Sequence, residues 1–406
     1  MAADLENVPI TKPDDARLSK LSSLTGLRFV AALLVFLYHV HWLGTFRNAS
    51  VQHVYNVIVT NAGPVGVSFF FVLSGFVLTW SARKKDTAGR FWRRRLVKIF
   101  PNHVVVFAGA IILMIVTGVP IMMPQAIANL FLVHAWIPDM SYQLGQVNGV
   151  TWSLSVELVF YVLFPLLYLL IKKIRVDHLW GWAIGVGALI TVLPALVMAF
   201  VPTQPVFAPY GMSWPWLWVL NFGPFARVLE FGFGMLLARI VQNKRWIGIP
   251  VLPAALLAVA GYVLSLFVPT QWTFVAPYAV PLGLLISAVA VGDIKGRRSW
   301  LSSRTMVWLG EISFAFFLLH FTLLFVLRGA VAGHLTTVGS AYQGLPWSTF
   351  GSILFILFAL AVTIGLASLL YVLVERPAMR RWSRPRRVTP PVQPPSSAYP
   401  AESRAP

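Results

Sequence analysis

The sequence predicts an all-α fold, a polytopic integral membrane helix bundle with about ten transmembrane helices. The chain of 406 residues is 58% hydrophobic and only 11% charged, with a mean hydropathy of +0.75. A soluble domain cannot bury that much apolar surface, so lipid is the predicted solvent. The apolar residues form ten stretches of about twenty residues, and Lys and Arg lie almost entirely in every second gap between them.

Each apolar stretch can cross roughly 30 Å of hydrocarbon as a helix that rises about 1.5 Å per residue. The predicted spans are 26–46, 62–82, 101–119, 152–172, 179–201, 215–239, 248–268, 273–292, 305–330 and 350–374. A further apolar segment, 123–138, is short and bracketed by Pro124 and Pro138, which predicts a re-entrant or interfacial piece. An eleventh span there would reverse every later loop and destroy the alternation of charge.

The positive charges predict the orientation of the bundle. Twenty-eight Lys and Arg residues lie in the N-terminal segment, the alternate gaps and the tail, whereas the opposite gaps hold only Arg47 and Arg328. The positive-inside rule therefore predicts a multi-pass protein of the inner (cytoplasmic) membrane with both termini in the cytoplasm. Because the net charge of +19 is divided among short loops, membrane lipid is the expected partner and nucleic acid is not.

The chain is expected to form one ten-span domain, residues 22–377, between two cytoplasmic segments. Residues 1–21 are polar, and no cleavable signal peptide is expected before the first span. Residues 378–406 are rich in Pro, Arg and Ser, which predicts a disordered tail. The sequence holds no Cys, so it excludes disulfides, thiol chemistry and Cys-based metal sites.

A few ionisable residues lie inside the predicted spans. Such groups are costly in a bilayer, so each is a functional candidate, with a paired structural role as the alternative. They are Arg28, His39, His41, Glu157, Arg227, Glu230, Glu311 and His320.

Helical geometry brings some of these residues together. Arg28 and His39 are eleven residues apart, so they share one face of the first span at an axial separation of about 16.5 Å. Arg28 then lies near the cytoplasmic surface and His39 in the outer half. Counted from the ends of their own spans, Glu157 and His320 reach a similar depth, as a shared site would require. His41 points elsewhere, and we interpret it as interfacial.

Two other charged groups are compatible with either a functional site or a purely structural role. Arg227 and Glu230 are three residues apart on the sixth span, so they can form a structural salt bridge as well as a site. The basic run that includes Arg94, Arg95 and Lys98 can contact lipid headgroups. Arg side chains are equally suited to a phosphate-rich cytosolic ligand.

These residues resemble the acyltransferase family 3 of membrane O-acyltransferases, and the resemblance covers residues from about 22 to 377. Each motif alone is weak, but together they occur in the family's order on a matching ten-span frame. The motifs are Leu24 to Arg28 with His39 eleven residues after Arg28, Gly66 to Phe76, Arg94 to Pro101, Trp152 to Glu157, Arg227 to Gly234, Ile312 to His320 and Val374 to Pro377.

The resemblance implies transfer of a short acyl group, acetyl or similar, from acyl-CoA as the donor substrate to a hydroxyl of a sugar or glycoside. His39 is then the expected general base, because a His with an ordinary pKa of about 6.5 suits that role at neutral pH. Glu157 is expected to orient His39 or to bind the acceptor, and His320 to hold the acceptor or assist the leaving thiol. A covalent acyl-His intermediate and direct transfer both stay open.

The resemblance also divides the binding residues between the two substrates. Arg28, Arg94, Arg95 and Lys98 are expected to hold the coenzyme phosphates near the cytoplasm. The expected residues for a saccharide or glycoside acceptor are Trp152, Arg227 and Glu230. No metal is expected.

The chain departs from the family pattern at two positions. Ser68 stands where the family often has an acidic residue after Gly-Val, so any role of that acid is absent. The family's Arg-x-x-Arg reads Arg95-x-x-Lys98 here, which keeps the charge and loses one bidentate fork. No hydrolase-like domain of the kind that is fused to some members is expected, so the chain resembles a stand-alone form.

Two alternatives stay open at this point. Ten spans with buried charges and Gly or Pro interruptions are also typical of a transporter or flippase, although no internal repeat is visible. Within the enzyme reading, the acceptor is expected to be a surface or lipid-linked saccharide, and the alternative is a glycosylated natural product such as a macrolide.

Overall fold

The computed structural model describes residues 21–83, 86–145, 147–333 and 346–383. Helices account for nearly all of its regular structure, and a two-residue antiparallel pair, Val206–Phe207 (β1) with Met212–Ser213 (β2), is its one sheet within those ranges. The helices are Ser22–His41 (α1), Ala49–Val59 (α2), Ala62–Trp80 (α3), Ala88–Thr117 (α4), Met123–Leu130 (α5), Met140–Leu144 (α6), Trp152–Lys173 (α7), Leu179–Phe200 (α8), Trp214–Leu217 (α9), Pro224–Gln242 (α10), Val251–Ser265 (α11), Ala279–Ile294 (α12), Arg304–Val331 (α13), Thr349–Leu370 (α14) and Arg376–Trp382 (α15).

The predicted all-α polytopic membrane bundle is confirmed. A helix lies at each of the ten predicted span positions. A π-helical turn at Trp218–Phe222 continues α9 up to Gly223, just before α10, and another at Tyr371–Glu375 extends α14. Seven helical stretches of the described chain are long and apolar enough to cross a membrane. Helices α11 and α12 are apolar but only 15 and 16 residues long, so the number of crossings stays a prediction.

Three segments between and after the spans are more ordered than the sequence indicated. Helix α2 was not predicted; it begins after Asn48, whose side chain accepts a hydrogen bond from the Val51 backbone N–H at 3.1 Å. The segment 123–138 contains α5, whose 8 residues are too short to cross a membrane. Helix α15 covers residues 378–382 of the expected disordered tail, and residues 384–406 lie outside the described ranges.

The centre of the bundle is formed where α1 packs against α3 and α13, and where α3 packs against α10. Glycines allow the α3–α10 contact: a Cβ atom on Gly75 would lie 1.9 Å from the Phe231 carbonyl oxygen, and one on Gly234 would lie 2.0 Å from the Val72 carbonyl oxygen. Small residues at such crossings let helix backbones approach closely. The backbone contact fixes α3 and α10 side by side.

We expect Gly234→Ala to lower the thermal unfolding temperature in detergent markedly, because its methyl group forces the two backbones apart. Overpacking of this kind costs typically about 1–3 kcal/mol and more where backbone must move. Gly232→Ala is the matched control on the same helix, since a Cβ there meets nothing within 4 Å. Scanning fluorimetry of both proteins tests the contact; equal unfolding temperatures would contradict it.

Candidate active site

Two cavities lie next to each other inside the bundle. The first, which we call the cationic cavity, has a volume of about 160 Å³ and is lined by Arg28, Arg95 and Lys98 among others. The second, the histidine cavity, has a volume of about 230 Å³ and is lined by His39. Helices α1, α3, α7 and α13 contribute side chains to both cavities. The same four helices therefore hold two chemically different sites at two levels.

A directly bonded pair of histidines from α1 and α13 lies at the histidine cavity, and of the two only His39 lines it. His39 Nδ1 lies 2.8 Å from the Val35 carbonyl oxygen and 3.0 Å from His320 Nε2. His320 Nδ1 lies 2.7 Å from the Phe317 carbonyl oxygen. His320 is fully buried and His39 is 9% exposed. The expectation that these two residues meet at one depth is thus matched by a side-chain contact.

The carbonyl partners determine the tautomers of this pair. A carbonyl oxygen can only accept, so each Nδ1 must carry the hydrogen. The Nε2 atom of a neutral His320 is then an acceptor, and it receives part of the bifurcated Nδ1–H of His39. By the same logic, Nε2 of a neutral His39 carries a lone pair. The network therefore leaves a proton acceptor on the ring that borders the cavity.

Aromatic side chains form most of the remaining wall of the histidine cavity. Trp152, predicted to bind the acceptor, lines it and packs edge-to-face against Phe222 at 5.1 Å between ring centroids. The hydroxyl groups of Tyr38 and Tyr210 lie 3.4 Å apart at the same cavity. Among the described residues that line it, none is Asp, Glu, Lys or Arg. Such a wall suits a ligand with an uncharged, apolar face.

The cationic cavity collects positive charge from two helices. Arg28 of α1 and Arg95 of α4 have no carboxylate within ion-pair distance in the described part of the chain. The Arg95 guanidinium lies over the Tyr161 ring at 5.9 Å. Lys98 forms an ion pair with Glu375, which also accepts a hydrogen bond from Asn102 at 2.6 Å. Two of the three cations are thus left to attract an anion.

Glu157 occupies the cationic cavity and does not contact His39. Its Oε1 accepts hydrogen bonds from the Tyr161 hydroxyl at 2.7 Å and the Ser74 hydroxyl at 3.2 Å. The prediction that Glu157 orients His39 is wrong, because His320 occupies that position. Glu157 lies five residues after Trp152, the first residue of α7, which borders the histidine cavity. An error of one helical turn in its predicted depth is therefore enough to assign it to the wrong cavity.

Arg94 is turned away from the cationic cavity. Its guanidinium forms an ion pair with Asp86, including a 3.0 Å bond from Nη1 to Oδ1. The hydrogen bond from Arg94 holds the pKa of the Asp86 carboxyl below its usual range. Arg94 does not line the cavity, although Arg95 does, because consecutive helical residues point about 100° apart. Arg28, Arg95 and Lys98 therefore line the cationic cavity, and Arg94 does not.

Arg227 and Glu230 form a fully buried ion pair at 2.9 Å and line neither cavity. The Arg227 guanidinium also donates to the Asn221 side chain at 2.6 Å, to the Phe274 carbonyl oxygen at 3.1 Å and to the Ser68 hydroxyl at 3.2 Å. These bonds tie α10 to α3 and to the segment before α12. These contacts favour the alternative interpretation of the pair as a structural salt bridge, and they do not support the predicted role in substrate binding.

We expect Arg227→Leu to lower the thermal unfolding temperature strongly, because it leaves the Glu230 carboxylate buried without its partner. Breaking a buried pair costs about 3–5 kcal/mol, whereas replacing both partners by apolar residues is often neutral. The double variant Arg227→Leu with Glu230→Leu should therefore recover part of the loss. An unchanged unfolding temperature with weakened acceptor binding would restore the substrate-binding reading.

Several residues at the two cavities were not predicted. Tyr161 follows Glu157 by four residues, so helix periodicity could have placed it on the same face. Ser74 and Tyr210 reach the cavities, and Glu375 reaches Lys98, through tertiary packing, which no local pattern encodes. Glu311, a candidate from the sequence, is exposed and accepts a hydrogen bond from the Tyr371 hydroxyl at 3.1 Å.

Comparison with known proteins identifies the family. A family model for an acyltransferase domain matches residues 21–372. The chain is 39% identical to the acyltransferase MdmB of Streptomyces mycarofaciens, over 96% of this chain and 99% of that protein. It is 26% identical to the peptidoglycan O-acetyltransferase OatA of Listeria monocytogenes, over 74% of this chain and 49% of that protein.

A third relative is nodulation protein 10 of Rhizobium leguminosarum bv. viciae, which is 25% identical over 87% of this chain and 92% of that protein. No solved structure matches the chain. The family match and the relative with 39% identity both extend along most of the helix bundle described above. The chain therefore belongs to the acyltransferase family 3 and is a membrane-embedded acyltransferase.

Proposed function

We propose that the protein transfers a short acyl group, acetyl or similar, from acyl-CoA to a hydroxyl group of a sugar or glycoside. The observation that supports this most is the pairing of the two cavities: one carries unpaired cations, and its neighbour carries a histidine with a free Nε2 lone pair. The first suits the phosphates of a coenzyme, and the second suits activation of a hydroxyl.

The donor would enter from the cytoplasm. The positive-inside rule places the basic loops, and with them the cationic cavity, on the cytoplasmic side of the inner membrane. Arg28 and Arg95 would hold the phosphates there. The axial separation of about 16.5 Å between Arg28 and His39 is comparable to the length of a pantetheine arm. The thioester would thus reach the histidine cavity while the phosphates stay near the cytoplasm.

In the proposed reaction, His39 Nε2 removes the proton of the acceptor hydroxyl while the hydroxyl oxygen attacks the thioester carbonyl carbon. The new C–O bond forms, the C–S bond breaks, and the leaving thiolate takes the proton back from His39 as free CoA thiol. His320 acts as a positioning residue, because its Nε2 holds the Nδ1–H of His39. This is the role that an orienting group has beside the base in other acyl-transfer sites.

The role of His320 predicts a graded response. His320→Leu should lower kcat by about 10²-fold or more, since the His39 ring loses the partner that fixes its tautomer. His320→Gln keeps an oxygen acceptor in that position and should retain more activity. Turnover and its pH profile for both variants test this assignment, and equal kcat values for Leu and Gln would contradict it.

The acceptor is proposed to be a surface or lipid-linked saccharide. One relative is named for O-acetylation of peptidoglycan, a saccharide polymer. The aromatic wall around Trp152 offers flat apolar surfaces against which a sugar face can pack. A glycosylated natural product such as a macrolide presents the same sugar chemistry, and it remains the alternative acceptor.

The decisive experiment measures release of CoA thiol from acetyl-CoA by the purified protein in detergent. The acceptor panel contains peptidoglycan fragments, lipid-linked saccharides, simple glycosides and a glycosylated macrolide, with a reaction lacking acceptor as the control. Acceptor-dependent release, with the ester product detected by mass spectrometry, is the expected result. Absence of release with every acceptor, together with no binding of acetyl-CoA, would overturn the proposal.

A further inference from the structure

We propose that Val67 and Phe317 form an aperture between the two cavities, and that the Phe317 side chain limits the length of the acyl group that is transferred. The inference rests on the proposed function and adds to it the residues that select the donor. Among the described residues, Val67 of α3 and Phe317 of α13 are the two that line both cavities. They therefore lie at the boundary that a donor must cross.

The levels of the lining residues place this boundary between the phosphate-binding cations and the base. On α13, Phe314 borders the cationic cavity, Phe321 borders the histidine cavity, and Phe317 lies between them. On α1, Arg28 borders the first cavity and His39 the second. A donor held by its phosphates at Arg28 can bring its carbonyl carbon to His39 only past this level.

The Phe317 ring contacts the rings of Phe70 and His320. It is 7% exposed, and the Phe70 ring packs against it edge-to-face at 6.1 Å between centroids. The backbone carbonyl of Phe317 is the group that accepts the His320 Nδ1–H at 2.7 Å. Phe317 thus places its side chain at the aperture, 5.6 Å from the His320 ring between centroids, and its carbonyl oxygen against His320.

The direction of the donor connects the aperture to acyl length. Because the phosphates trail in the cationic cavity, the acyl chain leads and enters the histidine cavity ahead of the carbonyl carbon. The acyl carbon then leaves sulfur for the acceptor oxygen, and the acceptor proton passes through His39 to the thiolate. Each extra methylene must fit beside the Phe317 ring and share the cavity of about 230 Å³ with the acceptor.

The test measures the turnover of acetyl-, propionyl-, butyryl- and hexanoyl-CoA with one acceptor. Phe317→Leu should raise the ratio of hexanoyl to acetyl kcat/KM by at least about tenfold, in line with the 10- to 200-fold effects of one methylene in an apolar site. Val67→Phe should lower acetyl transfer by a similar factor while acetyl-CoA still binds. The matched controls are Phe76→Leu and Val65→Phe, whose buried side chains line neither cavity.

The outcomes separate the aperture from the proposed function. A wild-type donor ratio in folded Phe317→Leu, or the same shift in Phe76→Leu, would overturn the aperture while acyl transfer stands. If Phe317→Leu does not fold, Val67→Phe decides, and undiminished acetyl transfer by that variant overturns the aperture. Absence of turnover in the wild-type protein with every donor would refute the proposed function and the aperture with it.

Discussion

His39→Ala is expected to lower acceptor-dependent transfer by about 10²- to 10⁴-fold, the usual contribution of a general base. Its Nε2 is the free lone pair of the histidine network, and no Asp or Glu among the described residues lines the same cavity to replace it. The variant should still fold, because the lost hydrogen bond to His320 costs only about 1–3 kcal/mol. Thiol release from acetyl-CoA, with unfolding temperature measured in parallel, tests this expectation.

The sequence supplies a matched control two residues away. His41 stacks on Tyr38 at 6.0 Å between ring centroids, is partly buried and lines neither cavity. His41→Ala should therefore transfer acyl groups at a rate close to wild type. Near-wild-type turnover by a well-folded His39→Ala protein would remove His39 from the reaction, and equal losses in both variants would indicate a structural effect.

The axial positions of Arg28, His39 and His320, though not of Glu157, could be predicted from the sequence. Alternating charge and a fixed bilayer thickness assign each span a direction and two ends, so a residue's depth follows from its distance to the nearer end. That calculation brought His39 and His320 to one level, and the structure joins them at 3.0 Å. It also placed Arg28 near the cytoplasmic surface, on the same side as the basic run of Arg95 and Lys98. In the structure, all three residues line one cavity.

The rotation of each helix could not be predicted in the same way. Neighbouring positions such as Arg94 and Arg95 have the same depth and differ by about 100° in direction, which is why one pairs with Asp86 and the other faces the cavity. Glu157 shows that the predicted depth is also limited in accuracy, because an error of one helical turn is enough to assign a residue to the wrong cavity. Hydrophobic periodicity gave little help, since lipid-facing and core-facing residues are equally apolar here.

The role of Arg227 and Glu230 could not be decided from the sequence for a related reason. Their spacing of three residues correctly indicated an ion pair. Whether such a pair binds substrate depends on what surrounds it, and Asn221, Ser68 and Phe274 come from separate segments of the chain. Local spacing thus predicts the bond, and only tertiary packing shows that the bond is sealed inside the bundle.

Arg95→Ala is expected to raise the KM for acetyl-CoA by about 10- to 100-fold and to leave the acceptor KM nearly unchanged. A hydrogen bond to a charged group contributes about 1.5–3 kcal/mol, and each 1.4 kcal/mol corresponds to a factor of ten. Arg95 lines the cationic cavity without a carboxylate at ion-pair distance in the described chain, so its charge is available to a phosphate. Steady-state kinetics with each substrate varied in turn measure both constants.

Arg94→Ala is the control that makes this result specific, because it removes the same charge from the adjacent position. Arg94 is already paired with Asp86 outside the cavity, so its loss should change the donor KM by much less. Arg95→Lys should fall between Arg95→Ala and wild type, since it keeps the charge and loses the bidentate fork. A similar rise in both alanine variants would indicate diffuse attraction by the basic run, and a rise in the acceptor KM alone would move the donor away from the cationic cavity.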